Sequence, residues 1–378
     1  MLNRRRLLAI ALTAVSCLAV ASSTPRVRAA ETLPSKLRDK EFWTLTEELS
    51  EPGGAFRSDN FVSNERTYQH VIPDLVGTAR AGAVYLGVGP EQNFPYIVAL
   101  KPHMAFIIDV RRGNLHEHLL YKALFEMSTD RAEFLSLLFS RPRAAGLGAK
   151  STVAELFAAY DAAQPSEELY AANMKRVTDW LTRKHAFALS EDDVKGLEYV
   201  YHDAFFVGGP NLGYTMGGGR IGGGGNSPTY RELMLAEDGN GHNLGYLANE
   251  TNFAFLKDLE TKNLLVPVVG NFGGPRAIRA VGQYVKDHGA TVEAFYLSNV
   301  EQYLIQDGIW DNFCASVATL PIDETSTFIY SGRGGLIPVL GQTNRAAGGF
   351  GGGGGRGGLQ SATRPILREA QSCAGSAR

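Results

Sequence analysis

Two glycines and an acid mark the first place where this chain could hold a ligand. Gly87 and Gly89 follow an apolar run, Ala83 to Leu86, and Asp109 closes a second, Met104 to Val110, about 20 residues further on. Glycines without a β-carbon let the backbone turn tightly and approach a ligand closely, while a carboxylate at that spacing reaches a ribose hydroxyl. Glu91 and Asn93 stand in the intervening turn, with Asn93 placed to cap a helix that tolerates Pro95 in its first turn and stops at Lys101-Pro102-His103. A second group of polar residues follows two later apolar runs. Asn271 comes after Leu264 to Val269, and Ser298, Asn299, Glu301 and Tyr303 come after Thr291 to Leu297. Glu301 is the candidate general base of this set, with Asn271 and Asn299 as neutral partners for substrate.

Other chemistries lack their residues. The chain has no G-x-S-x-G, no H-E-x-x-H, no phosphate loop ending in Gly-Lys-Ser/Thr and no C-x-x-C. In His116-Glu117-His118 the two imidazoles sit at i and i+2, which point apart on a helix and do not share a metal.

The elements that must position these residues alternate. Strand, turn, helix and strand over 83–110 are followed by a helical stretch over about 115–207, where Leu115, Leu119, Leu120, Ala123, Leu124 and Met127 keep a spacing of three and four. Thr152 with Glu155, and Ser190 with Asp193, have the spacing of capping boxes. A glycine-rich segment over 208–228 reads either as a lid carrying Tyr214, Met216 and Arg220 or as a plain excursion. Beyond it, helix, strand, turn, helix and strand return over 249–297, and Cys314 to Thr319 and Thr325 to Ser331 read as closing strands. Such repeats imply an α/β fold with a mostly parallel, Rossmann-like sheet and right-handed crossovers. Ligands bind such a sheet beyond the carboxyl ends of its strands, here at the loops 87–93, 109–114, 270–274 and 298–303. Ser63-Asn64-Glu65, ahead of the first strand, stands near the same mouth.

The strand, Gly-x-Gly turn and second-strand acid resemble the layout of class I S-adenosylmethionine-dependent methyltransferases. Tyr85 stands where that superfamily usually carries an acid, and Glu91 where it carries a third glycine. The wider pattern of SDNFVSNERTYQHVIP, YLGVGPEQN, FIIDVRRGN, VPVVGNFGGP and FYLSNVEQYL resembles an uncharacterised bacterial family with a class I methyltransferase-like fold, over most of residues 40–331. The resemblance implies S-adenosylmethionine held at Gly87, Gly89, Glu91, Asn93 and Asp109, and methyl transfer to an unknown acceptor. A noncatalytic, exported protein binding a small molecule in the same crevice is the alternative. An NAD-dependent oxidoreductase is disfavoured because the third glycine of its fingerprint is Gln92.

The ends of the chain carry different signals. Residues 1–30, with Arg4 to Arg6 ahead of an apolar run from Leu7 to Ala21, read as an export signal, and Arg4-Arg5 also fits a twin-arginine pattern. The run is too short to anchor the chain in a bilayer, and the expected destination is periplasmic or extracellular. From position 332 the composition turns glycine-rich and polar, which predicts a disordered tail, and with Cys373 inside it no disulfide framework is implied. A net charge of −2 argues against a nucleic-acid-binding surface, and the sequence leaves oligomeric state open.

Overall fold

The computed structural model describes residues 32–80, 82–214, 227–333 and 359–370. In chain order the helices are α1 (Asp39–Leu49), α2 (Ile72–Thr78), α3 (Asn93–Leu100), α4 (Arg112–Met127), α5 (Arg131–Phe139), α6 (Val153–Ala162), α7 (Glu167–Asp179), α8 (Glu191–Tyr199), α9 (Tyr230–Met234), α10 (Glu250–Thr261), α11 (Ala277–Asp287), α12 (Val300–Gln306) and α13 (Trp310–Val317). The strands are β1 (Val84–Gly87), β2 (Met104–Asp109), β3 (Leu265–Val269), β4 (Val292–Ser298), β5 (Thr327–Arg333) and β6 (Leu359–Pro365).

β1, β2 and β3 are buried at every residue, and β4 is buried up to Ser298. Strands without polar alternation need cover on both faces, which is the condition of a parallel sheet. They form one six-stranded sheet in the order β3-β2-β1-β4-β5-β6, parallel from β3 through β5, with β6 antiparallel at the edge. The order reverses between β1 and β4, the place where an open α/β sheet leaves a crevice.

Right-handed crossovers put the connections from β1 to β3 on one face and the return to β4 on the other. On the first face α3, α4 and α10 pack together, with α4 laid across β2 and β3. The helical stretch after β2 therefore covers the sheet, and Thr152 and Ser190 close the expected capping boxes at the starts of α6 and α8. α11 packs with α1 and α13. The exposed edge of β3 is closed by the turn after α1: Glu51 N donates to Val269 O at 2.7 Å, and Val269 N donates to Ser50 Oγ at 3.0 Å.

Three expectations change. Cys314 to Thr319 is not a strand, because Trp310, Phe313, Cys314 and Val317 recur at helical spacing and build the buried face of α13. The region after 332 is not wholly a tail: β6 pairs with β5 along its length, and a helical turn over 366–370 buries Ile366 and Glu369. Its flanks, 334–358 and 371–378, lie outside the described residues. Cys314 is disulfide-bonded, although the sequence implies no disulfide framework. The export signal and most of the glycine-rich segment, 215–226, also lie outside the described residues. No helix among the described residues is long and apolar enough to cross a membrane.

Candidate ligand-binding site

A cavity of about 160 Å³ opens at the carboxyl ends of the central strands. Each of the four expected loops supplies part of its wall: Val88, Gly89 and Pro90 after β1, Asp109 and Arg111 after β2, Asn271 and Phe272 after β3, and Ser298, Asn299 and Tyr303 after β4. The segment ahead of β1 adds Phe56, Asn60, Ser63 and Asn64, and the start of the glycine-rich segment adds Tyr214. Phe56 and Tyr303 meet edge to face at 5.0 Å, and the Arg57 guanidinium lies 4.8 Å from the Tyr303 ring centre, so one wall is aromatic.

The turn after β1 is fixed from within. Asn93 does not cap α3 but is the first residue of that helix. Its amide nitrogen donates to the carbonyls of Val88 (3.0 Å), Gly89 (3.3 Å) and Pro90 (2.7 Å), and its oxygen accepts from the Tyr85 hydroxyl at 2.9 Å. Tyr85 thus serves as a bolt for this turn. Gly87 is required by close approach, since a β-carbon there would lie 1.8 Å from Asn93 Oδ1. Gly89 has φ +77°, a left-handed conformation suited to glycine.

Behind the turn lies a layer of buried ionisable groups. Glu91 and Glu117 are fully buried, and His118 Nε2–H donates to Gly89 O at 2.9 Å. Burial pushes Glu91 up to about 8 and Glu117 well above the ordinary carboxyl range, the latter also through repulsion from Glu91. Burial also pushes His118 down to about 4. At neutral pH the layer therefore carries little charge, and Glu91 faces the helical layer instead of the cavity wall.

Asp109 ends β2 in the cavity wall, and its carboxylate is engaged there. Arg111 donates to it through the backbone N–H (2.8 Å), Nε (3.1 Å) and Nη2 (3.0 Å). On the far side, Asn271 Oδ1 accepts from Gly273 N–H at 2.9 Å, and Asn299 lies beside Ser298 Oγ at 3.4 Å. Glu301 stands apart from this group. It is buried outside the cavity wall and paired with Arg364 of β6, and burial pushes its carboxyl up to about 7 while Arg364 pulls it down. A carboxylate placed in that way links the sheet to β6.

Glu65 has the fullest set of polar partners at the site. Its buried carboxylate accepts from Tyr296 Oη (2.9 Å) and Ser298 Oγ (2.5 Å) on one oxygen. The other oxygen accepts from Gln92 Nε2 (3.0 Å), Ser361 Oγ (3.4 Å) and, at short range, Ser331 Oγ. It thereby ties the turn after β1 to β4, β5 and β6 just beneath the cavity. Desolvation pushes its pKa up, and the hydroxyl donors counter that shift. The triplet Ser63-Asn64-Glu65 was the sequence signal for it. Five partners from four distant segments cannot be read from its spacing.

Among the described residues no three His, Cys, Asp or Glu side chains converge as a metal ion would need. No curated protein sequence matches the chain. A family model described as a domain of unknown function, DUF7790, matches residues 60–198 and 227–342, spans that carry Glu65, Asp109, Asn271 and Ser298. The chain belongs to that DUF7790 family.

Proposed function

We propose that this chain holds an S-adenosylmethionine-type ligand in the crevice between the turn after β1 and the end of β2, on a sheet of the class I methyltransferase type. The observation that carries this reading is one of convergence. The Gly87-Val88-Gly89 turn, the β2-terminal Asp109 and the aromatic wall of Phe56 and Tyr303 open onto one cavity at the point where strand order reverses. The antiparallel strand beside β5 is compatible with that fold type.

The residues fit the ligand in a defined way. The backbone at Gly89 has open space where a β-carbon would stand, so pyrophosphate-free ligands can approach it closely. Asp109 would accept from ribose hydroxyls, which requires Arg111 to yield part of its hold. Phe56, Phe272 and Tyr303 offer flat surfaces to a purine. The enclosed volume seats part of such a ligand and the open mouth takes the remainder. When bound, the ligand supplies a transferable methyl carbon, and the chain's contribution to transfer is alignment of an acceptor beside Asn271 and Asn299. Export of the protein, by a twin-arginine route that carries folded proteins, would let it leave the cytoplasm with ligand in place.

One observation favours a second reading, a noncatalytic exported protein that binds another small molecule. Asp109, the carboxylate that would hold the ribose, is already engaged by Arg111. Calorimetric titration with S-adenosylhomocysteine separates the two. Saturable binding to wild type that is lost in Asp109→Ala, with the variant still folded, supports the first reading; binding unaffected by that substitution rules it out.

A further inference from the structure

We propose that Ser298 is an activated nucleophile for acyl transfer, with Glu65 as the base that receives its proton. This goes beyond the ligand-holding role of the β1 and β2 side and does not depend on it.

The backbone is the first reason. Ser298 ends β4 with φ +51°, a left-handed conformation that residues with a β-carbon avoid. Five other non-glycine residues among those described share that sign of φ: Lys101 and Ser140 as helix C-caps, Asn60 and Asn263 as asparagines, which tolerate it, and Ala186 just past a helical turn. Ser298 instead stands between a strand and a helix, where the β4–β5 pairing also shifts register. A serine on a strained strand-to-helix turn has its hydroxyl raised at the end of the sheet, which is the architecture of a nucleophile elbow. The flanking residues Tyr296 and Val300 replace the glycines of G-x-S-x-G, so a motif search passes over it.

The second reason is the partner. Ser298 Oγ donates to Glu65 at 2.5 Å, and the other groups bonded to that carboxylate, from Gln92, Tyr296, Ser331 and Ser361, are neutral. A buried carboxylate in direct contact with the hydroxyl can take its proton without an intervening imidazole. The third reason is access. Ser298 lines the cavity, and the side-chain amide of Asn64 lines it too, as a neutral donor for a developing oxyanion.

The substrate class is a small ester with an apolar acyl or alkyl part that fits against Phe56 and Phe272. Oγ attacks the carbonyl carbon and forms an acyl–serine bond while its proton passes to Glu65. The ester C–O bond breaks, and the departing alkoxide takes that proton. Water then adds to the acyl–serine and gives a proton to Glu65. The acyl–Oγ bond breaks to release the carboxylic acid, and Glu65 returns the proton to Oγ.

The test uses the full chain and a small alkyl fluorophosphonate, in which Oγ displaces fluoride from phosphorus, with the modified residue mapped by mass spectrometry. Modification at Ser298 is expected, absent in Ser298→Ala and slowed about 100-fold in Glu65→Gln. In wild type, which needs no variant to fold, the rate should rise with pH through a single ionisation. No modification at Ser298, a wild-type rate in folded Glu65→Gln, or a pH-independent rate overturns the proposal.

Discussion

Replacing Glu65 with glutamine should destabilise the protein by about 1 to 3 kcal/mol, and the loss should shrink as pH rises. The magnitude follows from its partners. Glutamine keeps one oxygen, which Gln92 Nε2 needs because an amide nitrogen can only donate. The new NH₂ group then faces Tyr296 and Ser298, whose hydroxyls can rotate to accept. The substitution weakens hydrogen bonds to a charged acceptor by roughly 1 kcal/mol each, and relief from burying a charge offsets part of that. Glu65→Ala leaves Gln92 and the serines without an acceptor and should cost more, about 3 to 5 kcal/mol. The pH dependence follows from the direction of the Glu65 shift. Its folded-state pKa lies above the ordinary value, so between the two the folded protein holds a proton that the unfolded chain has released. Wild-type stability therefore falls as pH climbs through that window, and glutamine has no such slope. Urea unfolding at pH 5 and pH 8 measures both effects. A gap between wild type and Glu65→Gln that widens with pH would refute the reasoning, because it would mean that the hydroxyl donors outweigh desolvation.

Arg364→Ala should lower stability by about 2 to 4 kcal/mol at pH 8 and by less at pH 5, where Glu301 is already protonated; urea unfolding at the two pH values compares them. His118 has a folded-state pKa of about 4, so stability should decline by about 3 kcal/mol as pH falls from the ordinary histidine range to that value. Acid titration of His118→Gln, which keeps a donor for Gly89 O, should lack that part of the decline. Gly87→Ala forces Asn93 off the carbonyls it holds and should cost about 2 to 4 kcal/mol, read as a lowered thermal midpoint.

The sheet was legible where burial imposes continuous apolar runs. Met104 to Val110 and Leu264 to Val269 read as strands because both faces are covered, and the four loops at their ends follow from the crossover rule. β6 was not legible. Its Leu359-Gln360-Ser361-Ala362-Thr363-Arg364-Pro365 is polar enough for a tail, and it is ordered by pairing with β5 and by Ser361 and Arg364 reaching two buried carboxylates. For the same reason the pairing of Glu301 was not legible, because its partner lies more than sixty positions away, at Arg364. Cys314 to Thr319 contained enough small and β-branched residues to suggest a strand, while the helical spacing that includes Trp310 and Phe313 decides the matter. Asn93 shows a finer limit. Its type predicted a local hydrogen-bonding role, but not that the role would be to hold the glycine turn from inside.

The most direct test of the central claim is thermal unfolding of the chain from Glu31 to Arg378, which retains β6, with S-adenosylmethionine, S-adenosylhomocysteine or NAD. At 100 times its dissociation constant a ligand adds about 2.7 kcal/mol to the folded state, a shift of several degrees. Stabilisation by both adenosyl compounds, absent with NAD and absent in Asp109→Ala, is the expected result. An unchanged midpoint with either adenosyl compound at millimolar concentration would contradict the account.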